Sequence, residues 1–295
     1  MTSGDTWGIP GPTFLALYGI AALGLLIISI GYRLTMFAGN RDPRPGDLTG
    51  TQVAHLTGGA PLAINAALGG LRGAGVIDVG GGRALRASGP LPAGADELTA
   101  AVHYAAYQQR RVRDLAADPR IRQSLDRLQD HLEHAGLAAS RARRVTARWL
   151  GAALLGLAGV GVLRLIAGLA NGRPVGYLVL LLALTVPVGL LLTIAVPRVT
   201  RSGRRALGEL RRSHRHLSPS SRPAYATYGM TGAVMGVALF GSAALWTMDP
   251  DFAEAASIQR VAANGSGGGA AGDSGGSGGG GDGGGGGCGG GGCGG

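Results

Sequence analysis

Four apolar stretches, each about twenty residues long and almost free of charge, constrain this chain more than anything else in it. A hydrocarbon core ~30 Å thick is crossed by about 20 helical residues rising ~1.5 Å each. Residues 13–32 and 175–196 meet that length without a charge, and Pro187 marks an expected kink in the latter. Residues 149–170 meet it with one charge, Arg164, and residues 229–248 meet it with none but are rich in Gly and Ala. The first three are apolar around their whole circumference, whereas a helix on the surface of a soluble domain carries one apolar stripe. The fold class that follows is mainly α: an integral membrane helical protein with three or four spans. The first run lacks a basic leader and is followed by Arg33, Arg41 and Arg44, so it reads as an anchor and not as a cleaved signal.

Arginine alone supplies the basic charge, 27 residues with no lysine, and its distribution orients the spans. Residues 1–12 hold no arginine, 33–148 hold 16, the link 171–174 holds one, 197–228 hold eight, and the segment 249–295 holds one against five acids. Basic and non-basic segments alternate. The expectation is a multi-pass plasma-membrane protein with an extracytoplasmic N-terminus, a cytoplasmic 33–148 and a cytoplasmic basic loop at 197–228. With 229–248 as a fourth span, the tail 249–295 lies outside; without it, the tail stays inside. The formal net charge of +10 is then largely what topology requires, and needs no nucleic acid.

Within 33–148 the pattern predicts a small, mostly helical cytosolic domain of winged-helix order. A short helix over 48–56 is stopped by Thr57-Gly-Gly59, and a second starts at Pro61 with Ile64, Ala67, Leu68 and Leu71 on one face. Val76–Val79 and Arg83–Arg86 flank a glycine turn as a hairpin. Helices over 96–114 and 121–135 follow. Aligning Gly75 with Gly136 superposes Ile64, Ala67, Leu71 and Val76 on Leu125, Leu128, Leu132 and Leu137, which either a duplication or two similarly capped helices would produce. Between Pro61 and Arg72 only Asn65 and Arg72 are suited to base edges, so nucleic acid is not an expected partner. A membrane-tethered regulator with a nucleic-acid-binding domain is the alternative function.

Chemistry is sparse. His131 and His134 share a helix face and His103 sits on a neighbouring helix, but a metal site needs a convergent shell, and a solvated face is the simpler account. The glycine loops 70–75 and 80–82 lack the rest of any phosphate-cradle motif. No nucleophile, acid/base pair or cofactor motif is present, so the reading is non-enzymatic, without catalytic residue, cofactor or metal. Arg164 lies about 9 Å from the outer end of its span, so it either snorkels to the headgroups or pairs with a polar group of a neighbouring span or a lipid phosphate. The small-residue faces Gly151, Gly156, Gly159 and Gly161, and Gly229, Gly232 and Gly236, permit close helix packing within the bundle or between copies of the chain.

Two segments carry the site expectations. Ser202–Leu217 spaces Leu207, Leu210 and Leu217 on one face and carries Arg204, Arg205, Arg211, Arg212 and Arg215 on the rest: a basic amphipathic helix expected to lie on anionic membrane lipid. The terminal 31 residues contain 22 of the 57 glycines, a composition that reads as disordered. Both cysteines, Cys288 and Cys293, lie there and are candidates for a disulfide or for thiol attachment to a partner.

Asp42-Pro-Arg-Pro-Gly-Asp-Leu-Thr49, the Gly58-Gly-Ala block running through Ala67-Leu-Gly-Gly-Leu71 to Gly75-Val-Ile-Asp78, two mid-chain spans and the Gly/Cys terminus go together. This layout resembles a family of actinobacterial multi-pass membrane proteins with an N-terminal cytosolic domain and a Gly-rich, Cys-containing tail. The resemblance covers essentially the full length. It implies the layout and no activity, and transfers no functional residue. The expected function is a scaffold or interaction protein of the cell membrane, with membrane lipid and a protein as partners.

Overall fold

The computed structural model describes residues 11–39, 45–170, 176–221, 223 and 225–263. The chain is mainly helical. It begins with α1 (Gly11–Met36) and α2 (Gly50–Gly73), followed by a hairpin of β1 (Ile77–Val79) and β2 (Leu85–Ala87). Then come α3 (Glu97–Tyr107), α4 (Pro119–His134), α5 (Arg141–Ala170) and α6 (Gly176–Ile194). The chain continues through α7 (Arg201–Ser213), α8 (Tyr225–Phe240), α9 (Ser242–Met248) and α10 (Pro250–Ala255).

Three helices, α1, α5 and α6, are long and apolar enough to cross a membrane. They pack on one another and turn apolar side chains outward: Ile20 is 71% exposed and Leu180 69%. Gly161 admits the Tyr18 ring, whose Cε2 would lie 3.0 Å from an added Cβ, and Gly151 admits Thr193. Gly156 and Gly159, predicted on the same close-packing face, have open space beside them. Trp149 and Tyr177 are exposed near opposite ends of the α5–α6 pair, where amphipathic rings mark the two interfaces of a span. From Trp149 to Ala170 the helical rise is about 31 Å, the thickness of a hydrocarbon core.

The fourth apolar run folds differently from the expectation. Residues 229–248 are not one span but two core helices, broken at Gly241, whose φ of +86° suits glycine and interrupts the helix. Helix α8 also bends at Gly229 (φ +61°), so its continuous part from Met230 to Phe240 is about 16 Å long and too short for the hydrocarbon thickness. Its Val237, Ala238 and Leu239, with Leu245 of α9, are inaccessible to solvent and belong to the main hydrophobic core. A helix surrounded by protein is apolar on every side, as a span is, so the run's composition fits both.

Glycine brings α8 against α2. The isopropyl group of Val234 sits where side chains on both Gly50 and Gly70 would be, and Ala233 Cβ lies 3.0 Å from an added Cβ at Gly73. Gly50 and Gly70 belong to different halves of α2, which bends at Gly59 (φ +74°), so both halves close on α8. Thr49 starts α2 with a full capping box, its hydroxyl accepting from the Gln52 N–H while the Gln52 side chain accepts from the Thr49 N–H.

The domain boundaries move accordingly. Residues 33–148 do not close a core alone: Val53, Leu68, Leu71, Leu98, Leu115, Ile121 and Leu132 share one cluster with Leu207, Leu210, Leu217, Leu239, Leu245 and Phe252. Segments before and after the α5–α6 hairpin therefore make one domain. The order helix, bend, helix, hairpin is present, with Ile77 facing Ala87 and Val79 facing Leu85 in antiparallel register. The second half of α2, which a winged-helix reader would expose, is the centre of the core: Ala63, Ala66, Ala67 and Leu68 are fully buried.

The echo between Gly75 and Gly136 has a local cause. After α2, Val76 N–H donates to the Leu71 carbonyl; after α4, Leu137 N–H donates to that of Leu132. These are six-to-one bonds of a Schellman end. The same pattern closes α3, where Arg110 donates to Ala105, and α10, where Ile258 donates to Ala253. A cap that recurs at four helix ends accounts for the similarity without a duplication.

Candidate functional site

Among the described residues, the apolar bundle and the domain are joined where three helix ends meet. The C-terminal end of α1, the N-terminal end of α5 and the C-terminal end of α6 all arrive there. Arg201 N–H donates to the Phe37 carbonyl at 3.0 Å, Ala139 N–H to Arg198 at 2.9 Å and Thr200 N–H to Leu137 at 3.0 Å. Thr200 is the knot. Its buried hydroxyl accepts from Gly203 N–H, capping α7, and lies 2.8 Å from the Gly136 carbonyl and 2.9 Å from that of Leu137. Ser202 Oγ reaches the Gly136 carbonyl as well, at 3.1 Å. Gly39 passes so close to this cluster that a Cβ would fall 2.7 Å from Thr200 Oγ1.

Arginines close the helix ends here. Arg33 donates Nη1–H to the Ala195 carbonyl at 2.7 Å and Nη2–H to that of Leu192, and Arg143 donates to Met36 at 3.3 Å. The last carbonyls of a helix carry the negative end of its dipole, so guanidinium groups stabilise both α6 and α1 at this junction. Arginines that the sequence presents as topology signals are therefore also structural caps. The role of Thr200 was not legible in the sequence, because nothing local encodes its contact with 136–137, more than sixty residues away.

The predicted lipid-binding helix lies on α7, and its apolar face is already covered. Leu207, Leu210 and Leu217 are buried in the domain core, so they are not free to enter a leaflet. The face opposite remains outward: Arg204, Arg205, Arg212 and Arg215 are exposed. Arg211 is half-buried and donates Nε–H to the Leu239 carbonyl at 3.2 Å, tying α7 to α8. Tyr225 continues this tie from the start of α8, donating to the Leu217 carbonyl at 2.7 Å, and burial pushes its phenol up to about 12.

Arg164 does not snorkel outward. It is 5% exposed and its guanidinium carbon lies 4.7 Å from the Phe14 ring centroid, inside the bundle where Tyr18 and Thr185 hydroxyls are 3.2 Å apart. A cation over an aromatic face gains most where water is excluded. The histidines do not converge. His103 Nε2 lies 2.9 Å from the Gly89 carbonyl and His134 Nδ1 2.7 Å from that of Asp130. Among the described residues no group of three His, Cys, Asp or Glu side chains is placed to hold a metal. Cys288 and Cys293 lie outside the described residues.

A cleft between α2, α3 and α4 includes Gln52, Asp96, Glu97, Arg127 and His131. Its carboxylates already have structural partners: Asp96 caps α3 through the Thr99 N–H at 3.0 Å and accepts from the Thr51 hydroxyl, and Glu97 pairs with Arg127 at 2.6 Å. Arg72, one of two candidate base readers, is held between Asp78 and Asp249 at 2.9 and 2.7 Å. No family description, curated protein or solved structure matches the chain.

Proposed function

We propose that this protein is a non-enzymatic scaffold of the plasma membrane, presenting one folded cytoplasmic domain on three spans. The observation that carries the reading is the junction at Thr200. Three apolar helices end at one face of a domain whose core is assembled from segments on both sides of the α5–α6 hairpin. Such a domain is held at the surface with a fixed orientation, as suits a platform for another protein. The arginine distribution supports a cytoplasmic domain and an extracytoplasmic N-terminus. The exposed Arg204, Arg205, Arg212 and Arg215 support attraction to an anionic leaflet by charge alone, each group near the surface contributing about 1 kcal/mol. Attachment of a partner through Cys288 and Cys293, and pairing of two copies through the bundle, extend the same reading.

Crosslinking in intact membranes followed by mass spectrometry tests it. The scaffold reading expects recurrent crosslinks from the exposed surface of α3 and α4 to one other protein. A yield no higher than that of a chain reduced to the α5–α6 hairpin contradicts it. The nucleic-acid alternative has no comparable observation in its favour, since the helix it requires for reading is buried in the core.

A further inference from the structure

Where the domain meets the bundle, three nitrogen-rich side chains come together from three separate segments. His55 lies on the first half of α2, one turn before the bend at Gly59. Arg198 follows α6, and its Nη1 lies 3.8 Å from where a Cβ on Gly59 would be. Arg144 lies in the first turn of α5, five residues after Ala139, whose N–H bonds the Arg198 carbonyl. His55 Nδ1 and Arg144 Nε are both buried and, among the described residues, have no hydrogen-bond partner. Buried polar atoms are nearly always paired; Arg144 Nε can only donate, and His55 Nδ1 donates as the Nδ1–H tautomer, so the two orphans point to something absent that accepts hydrogen bonds.

The charge balance gives its sign. The groups acting electrostatically on Arg144 are Arg198, Arg148 and Arg141 against a single carboxylate, Glu133, and Glu133 already accepts from the Gln129 side chain at 2.8 Å. Burial, then Arg144, then Arg198 lower the pKa of His55 below its ordinary 6.5, as expected of an imidazole set among cations. The second half of α2 begins beside Gly59 and adds the positive end of its dipole. The depth of the cluster gives its source. Arg144 stands five residues, about 7.5 Å along the helix, beyond the interfacial Trp149, which is the level of lipid headgroups and not of the acyl chains. Guanidinium forks match phosphate oxygens in geometry as well as in charge.

We propose that His55, Arg144 and Arg198 form a headgroup pocket that takes the phosphate of an anionic phospholipid. Bound there, the lipid fills the junction between bundle and domain and fixes the tilt of the domain on the membrane. These residues are distinct from the arginines of α7. The proposal rests on the membrane reading of α1, α5 and α6, whose own failure is seen separately, as release of the chain by carbonate washing.

Native mass spectrometry of the full chain in neutral detergent tests it, with phosphatidylglycerol, phosphatidylcholine and inorganic phosphate added in separate arms. The pocket expects retained phosphatidylglycerol, little phosphatidylcholine, and a loss of about tenfold or more on Arg144→Gln or Arg198→Gln, the scale of one lost charge-assisted bond. Arg113→Gln, at an exposed arginine paired only with its neighbour Asp114 among the described residues, should leave retention unchanged. Thermal melting checks each fold, and the exposed Arg198 carries the test alone if Arg144→Gln unfolds. Binding of inorganic phosphate without binding of the lipid overturns the lipid source and leaves a soluble phosphate as the ligand. Absence of binding in every arm, or lipid retention indifferent to both arginine variants, overturns the pocket.

Discussion

Arg72 on α2 donates its Nε–H to the carboxylate of Asp249 at 2.7 Å, across 177 residues of sequence. The same guanidinium reaches Asp78 of β1 at 2.9 Å and lies 5.3 Å from the Phe252 ring centroid. One side chain thus fastens the hairpin, α2 and α10 together, and places residues after the last apolar run in the domain that begins before α5.

Asp249 does two jobs, and its titration shows both. Burial alone pushes its carboxyl up; the Phe252 N–H at 2.8 Å and the Arg72 guanidinium outweigh burial and hold it below the ordinary value. A depressed carboxylate stabilises the fold above its unfolded pKa and loses that stabilisation as pH falls through the folded one. Asp249→Asn keeps an oxygen to cap α10 and loses the charge of the bond to Arg72, so it should lower stability by about 1–2 kcal/mol near neutral pH, with a smaller difference from wild type in acid. Thermal melts of the purified chain at pH 7 and below pH 4 measure this; equal melting at pH 7 contradicts it.

His55 gives a second pH dependence of opposite chemistry. Its folded pKa lies below 6.5, so the unfolded chain takes up a proton first as pH falls. Stability is complete above 6.5 and declines as pH drops below it toward the folded value. His55→Gln should flatten the melting profile between pH 7 and pH 5, leaving the carboxylate-driven fall at lower pH. A profile identical to wild type through that interval shows that His55 does not titrate as its surroundings dictate.

The spans were legible because nothing in water stabilises a helix with Ile20, Leu180 and Ile194 exposed. The fourth run was not, since Leu239 and Leu245 would be equally at home against lipid and against α2. Hydropathy measures how apolar a helix is and says nothing about what covers it. The leucine stripe of α7 has the same ambiguity: Leu207 and Leu210 require an apolar cover, and only the tertiary structure supplies the core of a domain in place of a leaflet. The cluster at His55, Arg144 and Arg198 was invisible for a different reason: its members are separated by 89 and 54 positions, and only the tertiary structure, including the strand-like contact of Ala138 with Val199 beside the two arginines, brings them together.

That ambiguity on α7 can be resolved by stability. Leu210→Ala removes a side chain 5% exposed in the core and should cost about 2–5 kcal/mol, read as a lower melting temperature in detergent without lipid. A helix lying on the membrane would show weaker vesicle binding and no change in melting.

The proposed three-span topology is tested at the two cysteines. A membrane-impermeant maleimide added to intact cells should leave Cys288 and Cys293 unlabelled, and label both after lysis under reducing conditions. Labelling before lysis would place the tail outside and require a fourth crossing.

The shared core of α2 and α8 is best tested by a crosslink. Gly73 and Ala233 face each other with Cβ positions 3.0 Å apart, slightly closer than the ~3.8 Å usual for a disulfide. In a chain with Cys288→Ser and Cys293→Ser, the pair Gly73→Cys and Ala233→Cys should crosslink on mild oxidation in native membranes. Proteolysis in the 171–175 link would then leave the two halves joined until reduction. If both thiols react with a permeant maleimide but never with each other, residues 229–248 are not in the domain core and the account fails.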